Sequence, residues 1–360
     1  MKGKMKAQVF YEKEAMKLEE VDIPEVHANE VLVRVRACGI CGSDIAYYYA
    51  RTPLDTPNGK GPLILGHEFC GDVVEVGQMA RDLKLFRPGD RVIANPVQNC
   101  FACPECLKHE YNLCKHTRTK GVGCDGAYAE YAVVNYTHLY RMPESMTYEE
   151  GAICEPVACA TYGVSKLEIK LGDTVAIIGP GNIGLSMLQL IRAKGAEKII
   201  MLGVLDYGLE KAREMGADVL LNTLDKSSPY YTADPVKSVS DATGGNLADK
   251  VIVPTAAIVA LEQALEISGL HSCITYFGMP RPEDILRVPL AKLITMDKTV
   301  NVSWLAPNSW DEAIKAIAGK KVDASKLITH RFKLSEVEQA IRFMGDMSRP
   351  EKVKSIILMD

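Results

Sequence analysis

Apolar positions recur along this chain at two different periods, and the change comes near Pro156. Before it, short β-branched or alternating runs lie between turn residues, which predicts strands over 6–10, 30–37, 71–77 and 127–134. Pro88-Gly89-Asp90 is a turn feeding a further strand over 91–94. After Pro156, short apolar runs alternate with longer segments of helical period. Strands are predicted over 174–178, 198–202, 218–221, 250–253 and 273–277, with helices over 182–194, 208–215 and 256–267. Strands separated by helices of that length favour a parallel sheet covered on both faces. The last stretch holds predicted helices over 310–318 and 335–344 and a closing strand over 353–358, which breaks the alternation. The expected organisation is therefore α/β: a β-rich, partly barrel-like domain over 1–156, a doubly wound parallel-sheet domain inserted at 157–304, and a return to the first domain over 305–360.

A chain of 360 residues is long for one core, which agrees with two domains. The net charge of -4 supplies no attraction for nucleic acid or an anionic membrane. No apolar run reaches the ~18 residues of a membrane span, and Met1-Lys2-Gly3-Lys4-Met5-Lys6 leads into a strand rather than a signal segment. Clustered cysteines in a chain of this size read as metal ligands or buried thiols rather than disulfides, and a cytoplasmic location is expected.

The chemistry begins with Cys100, Cys103, Cys106 and Cys114, spaced C-x2-C-x2-C-x7-C. Such spacing lets a tight loop wrap one zinc ion in a closed, structural thiolate site. The rival reading, a zinc ribbon on nucleic acid, would want a basic surface, whereas Glu105 and Glu110 stand beside Lys108 and Lys115. A second constellation joins Cys41-Gly42-Ser43-Asp44 to Gly66-His67-Glu68. Mixed sulfur, nitrogen and oxygen ligands can leave a metal position open for reaction. Cys38 and Cys41 could form a redox pair, but no strand-helix context of that kind surrounds them. Third, Gly179-Pro180-Gly181-Asn182-Ile183-Gly184 follows a predicted strand and opens a predicted helix. That is the context in which glycines let a pyrophosphate approach a helix N-terminus.

Together these motifs resemble the zinc-containing medium-chain dehydrogenase/reductase superfamily, most closely its polyol (sorbitol-type) and threonine dehydrogenase branches. Pro88-Gly89-Asp90-Arg91-Val92, Glu155-Pro156 and Thr329-His330-Arg331-Phe332 extend the likeness over the whole chain. The resemblance implies a GroES-like catalytic domain carrying both zinc sites and an inserted Rossmann domain, with nicotinamide facing the zinc. It implies that Cys41, His67 and Glu155 hold the catalytic zinc and that Glu68 ligates directly or through water. Cys154 is the softer rival to Glu155, and the Glu-Pro pair favours the carboxylate. Ser43 corresponds to the first member of a proton relay and Asp44 to the carboxylate that orients His67. The relay histidine of relatives is replaced by Ala46, so ribose hydroxyls or water must complete the path.

The implied reaction is hydride transfer between a secondary alcohol, a polyol or sugar-derived alcohol above others, and NAD or NADP. The cofactor residues are Gly179, Gly181, Asn182, Ile183, Gly184 and Gly203. The last occupies the position that is acidic in NAD enzymes, and Asp206 nearby tips the expectation towards NAD. Tyr47, Tyr48 and Tyr49 follow the zinc loop, and at least one is expected to line the cleft. The partners are small molecules, not nucleic acid or membrane, and a homodimer or homotetramer is expected. Two other readings remain: a threonine-type amino-alcohol dehydrogenase, and a non-catalytic nucleotide-binding structural protein.

Overall fold

The computed structural model describes residues 1–56 and 59–359. The chain forms two compact units, Met1–Glu155 with Ile328–Asp360, and Pro156–Leu327. The return to the first unit thus comes at Ile328, not at 305. The helix Trp310–Ala318 buries Trp310, Ala313, Ile314 and Ile317 and belongs with the second unit, although its pattern stands outside the strand-helix alternation.

In the first unit, the central strand Glu30–Gly39 pairs antiparallel with Glu68–Val76, with Tyr131–Asn135 and with Lys354–Leu358. Neighbours on each side and apolar contacts on both faces explain why Val31, Leu32, Val33 and Val35 are all buried. The strand accordingly opens on the apolar run Val31-Leu32-Val33 and alternates only from Arg34, which is exposed, to Arg36. The strand expected over 127–134 begins only at Tyr131. Its first residues turn inward instead, with the amides of Ala127 and Tyr128 bonded to Leu65 O, and Tyr128 fully buried.

In the second unit the strands Val219–Asn222, Lys198–Gly203, Thr174–Ile178, Ala248–Val253, Ser268–Tyr276 and Thr299–Val302 lie side by side in that order, all parallel. The order reverses after the strand Thr174–Ile178, the arrangement of a doubly wound nucleotide-binding sheet. Ile178, Ile200, Leu202, Val251, Val253 and Ile274 form its core, each worth roughly 1.5–3 kcal/mol of transfer free energy when fully buried.

Among the helices that periodicity does not announce, two flank the candidate site. Gly42–Tyr48 starts on a glycine, a poor helix former, and is closed by a side-chain cap from Asp44. Cys154–Ser165 is apolar on most of its surface and therefore shows no clear stripe. No described helix is long and apolar enough to cross a membrane.

Candidate catalytic metal centre

Cys41 is the N-cap residue of the helix Gly42–Tyr48, and His67 immediately precedes the strand Glu68–Val76. The register Gly39↔Glu68 brings these two segments together. One ligand atom each from Cys41, His67 and Glu68 lies within 4.8 Å of the others, and His67 and Glu68 are buried. Asp44 is fully buried beneath them. Its Oδ2 accepts the Cys41 amide at 2.9 Å and the Tyr128 hydroxyl at 2.8 Å, while Oδ1 stands 3.5 Å from His67 Nδ1.

Burial alone would raise the Asp44 carboxyl, but the His67 charge and the donors from Cys41 and Tyr128 outweigh it and hold its pKa low. An ionised Asp44 facing Nδ1 keeps the proton there and leaves Nε2 free as a metal ligand. The other buried polar atoms are engaged, Asp44 Oδ1 facing His67 Nδ1 and Glu68 Oε2 facing Lys354 Nζ. A soft thiolate, an imidazole and a carboxylate whose ligand atoms converge within 4.8 Å suit a zinc ion. Asp44→Asn removes the charge that orients the imidazole, so turnover and zinc affinity should each fall roughly 10–100-fold; unchanged zinc retention against a chelator would contradict this role.

Glu155 is not among the residues brought within that distance. It is half-buried in the first turn of the helix Cys154–Ser165, and its charge acts on Lys354. Cys154 is fully buried, its Sγ directed to Glu150 O at 3.5 Å, and burial raises its thiol pKa far up. It is a packed thiol. Cys38 is likewise buried and free, with burial pushing its thiol pKa up.

Ser43 sits half-buried in the first turn after Cys41, and its hydroxyl makes no hydrogen bond among the described residues. Of the three tyrosines, Tyr47 stands where the charges of His67, Asp44 and Cys41 reach it; burial raises its pKa, so its hydroxyl stays protonated. Tyr48 is buried against Glu338 and Arg342, and Tyr49 packs on Tyr48 and Arg51. His330 stacks on Phe343, and Arg331 pairs with Glu149 at 2.7 Å, both away from the cluster.

The four-cysteine lobe wraps the short helix Pro104–Leu107. The sulfur of Cys114 is 3.6 Å from that of Cys100 and 4.0 Å from that of Cys103, and Cys100 to Cys106 is 4.0 Å. Four thiolates ~2.3 Å from one ion would stand ~3.8 Å apart, whereas a disulfide needs about 2.0 Å. Amides of Ala102 and Cys103 aimed at the Cys100 sulfur hold its pKa down to about 6, and burial pushes Cys106 up to about 12.

Behind the lobe, His138 Nε2 accepts the Asn99 amide at 2.8 Å, and burial holds its pKa down to about 4. The unfolded imidazole titrates near 6.5. Between about pH 6.5 and 4 the unfolded chain therefore binds a proton that the fold refuses. Stability is complete above this window and falls by about 3 kcal/mol as the pH descends through it. His138→Gln, which keeps an acceptor, should flatten that part of the Tm-against-pH curve; equal slopes in the two proteins would contradict it.

In the second unit, Gly179 has φ of 122° and Gly181 caps the helix Asn182–Ala193. A Cβ on Gly184 would come within 1.9 Å of Gly179 O, so only glycine lets helix and turn close on each other. Asn182 Oδ1 is buried there without a partner. At the end of the next strand, a Cβ on Gly203 would lie 2.7 Å from Pro180 Cγ. The place of the usual acidic residue is taken by the proline ring. Asp206 stands just beyond, its Oδ1 accepting Asn222 Nδ2 at 2.7 Å and Ser228 Oγ at 2.6 Å.

Sequence reasoning missed Tyr128 and Lys354. Tyr128 carried no signal beyond an aromatic inside an expected strand. Lys354 did carry one, being a charge inside the closing apolar run.

Residues 27–144 match the model of the alcohol dehydrogenase GroES-like domain, and 182–319 that of the zinc-binding dehydrogenase domain. The chain is 30% identical to sorbitol dehydrogenase of Halalkalibacterium halodurans, with 90% of each chain covered. It is 32% identical to L-threonine 3-dehydrogenase of Symbiobacterium thermophilum over 91% of each. The solved galactitol-1-phosphate dehydrogenase of Escherichia coli superposes with a TM-score of 0.87 at 27% identity, covering 98% of this chain and 100% of that one. The chain belongs to the zinc-containing medium-chain dehydrogenase/reductase superfamily, in the branch of polyol and threonine dehydrogenases.

Proposed function

We propose that this protein oxidises a secondary alcohol, a polyol or sugar-derived alcohol in the first instance, by zinc-dependent hydride transfer to NAD. The observation that carries the reading is the buried convergence of Cys41, His67 and Glu68 over the ionised Asp44. Cys41 and His67 would hold the catalytic zinc, with a carboxylate from Glu155 or Glu68, and Cys100, Cys103, Cys106 and Cys114 a second, structural zinc. When bound, zinc and nicotinamide supply an electrophile that acidifies the alcohol and an acceptor for its hydride. The chain's own residues do the rest. Asp44 holds the His67 ring in one tautomer. Ser43, with an uncommitted hydroxyl, takes up the alcohol proton, and because Ala46 offers no side-chain relay, onward transfer falls to ribose hydroxyls or water.

Gly179, Gly181, Asn182, Ile183, Gly184 and Gly203 would form the cofactor cradle, the first five around the pyrophosphate. A fixed Asp206 carboxylate near the end of the strand Lys198–Gly203 disfavours a 2′-phosphate, which supports NAD over NADP. Assembly as a homodimer or homotetramer and a cytoplasmic location complete this reading.

The identity with a threonine dehydrogenase favours one second reading, oxidation of an amino alcohol. The test is a panel of polyols, sugar alcohols, their phosphates and threonine with NAD and with NADP, followed by absorbance of the reduced nicotinamide. Turnover of a polyol with NAD is expected. Turnover of threonine alone would select the second reading, and no turnover of any alcohol by zinc-replete protein would refute both in favour of a non-catalytic nucleotide binder.

A further inference from the structure

A lysine with almost no contact with solvent lies against the metal-ligating cluster. Lys354 opens the strand Lys354–Leu358 and is 4% exposed, and Glu68, its ion-pair partner, is 1% exposed. Its Nζ also donates to Ile40 O at 2.8 Å. Its backbone is pinned on both sides by Thr329, whose hydroxyl donates to Lys354 O at 3.1 Å and accepts the Val353 amide at 3.0 Å. Gly39 makes the approach possible. A Cβ there would come within 2.0 Å of Glu68 Oε2 and 3.0 Å of Lys354 Cε, so any other residue would fill the passage.

A buried ion pair of this kind is weak evidence for stability, because desolvating both groups cancels most of the attraction. An energetically indifferent pair placed against three candidate ligands calls for another reason. The charges of Glu68, Cys41 and Glu155 all act on the Lys354 ammonium. With a divalent ion present, the Cys41 thiolate and the carboxylates of Asp44, Glu68 and Glu155 carry more negative charge than the ion neutralises, and Lys354 offsets one unit of it. It also engages Glu68 Oε2, one of the two carboxylate oxygens that could reach a metal.

We propose that Lys354 is a positioning residue that competes with the metal for Glu68. It keeps Glu68 a displaceable neighbour rather than a permanent ligand and so keeps one metal position open. Without the ammonium, the buried Glu68 carboxylate has one cation left to satisfy it, the metal itself. The inference rests on the metal-centre reading above, and its test separates the two.

The experiment uses full-length protein with cobalt(II) in place of zinc, and subtracts the spectrum of Cys41→Ser to remove the contribution of the four-cysteine lobe. In Lys354→Met, Glu68 joins the metal. The visible bands should weaken and shift towards higher coordination, and metal release to a chelator should slow roughly 10-fold, the scale of changes around a metal's ligands. Lys354→Arg keeps a cation and should restore the wild-type bands. Glu68→Gln in the wild-type background should leave them unchanged, since Glu68 is then not a resident ligand. That variant, with the double variant Lys354→Met/Glu68→Gln, also decides the question if Lys354→Met alone does not fold. Altered bands in Glu68→Gln, or wild-type bands and release in Lys354→Met, would overturn the inference. Failure of the wild-type difference spectrum to show any cobalt at the Cys41 site would instead overturn the metal-centre reading beneath it.

Discussion

Cys41→Ser should abolish alcohol oxidation while leaving the protein folded. The thiolate supplies a negative charge and a soft donor that a serine hydroxyl cannot replace at neutral pH. A metal that stabilises the developing alkoxide is worth several kcal/mol, so kcat/KM should fall at least ~10³-fold. The fold should survive because Cys41 is a helix N-cap, a position serine accepts readily. The capping contact from Asp44 runs to the Cys41 backbone amide, which the substitution preserves. Steady-state kinetics together with a thermal melt check both halves. Full activity in the variant would remove Cys41 from the centre, and a collapsed melt would mean that the residue is structural.

The opposite pattern is expected for Cys103→Ser. Cys103 and its three partners enclose no side chain of the other cluster, and the lobe they hold has almost no apolar core of its own. Metal binding there is folding free energy for the loop. Losing even ~3 kcal/mol of it would lower Tm by roughly 6–12 °C in a unit of this size. One zinc per chain should be lost in metal analysis, while the metal at the Cys41 site and the cofactor turn remain. A wild-type melting temperature in the variant would show that the cysteines do not share an ion.

How far the amino acids announced all this differs between the two units. In the second, every predicted strand is present to within a few residues, because a buried parallel strand is a short apolar run. The first unit was harder. Its antiparallel strands are tied by long-range pairing, and Ala15–Asp22, with Lys17, Glu19, Glu20 and Asp22 among its eight residues, has no pattern that composition alone would separate from a loop. The edge of the inserted unit was misplaced because the helix Trp310–Ala318 looks the same from either side of a boundary.

At the site, motifs located Cys41, His67, Asp44 and the four-cysteine lobe. Spacing could not say that Glu68 rather than Glu155 lies within ligand distance in this structure. Nor could it show that Glu68 is paired with Lys354, nearly three hundred residues away, through the gap left by Gly39. The glycine at 203 was read as a missing acid. The structure gives it a cause, the Pro180 ring packed where a side chain would go.

The most direct measurement is a crystal of the zinc-loaded protein with diffraction recorded on both sides of the zinc absorption edge. The expected difference map has one peak among Cys100, Cys103, Cys106 and Cys114, and a second bonded to Cys41 Sγ and His67 Nε2 at about 2.3 and about 2.0 Å. A map with the first peak and none beside Cys41 and His67 would contradict the account.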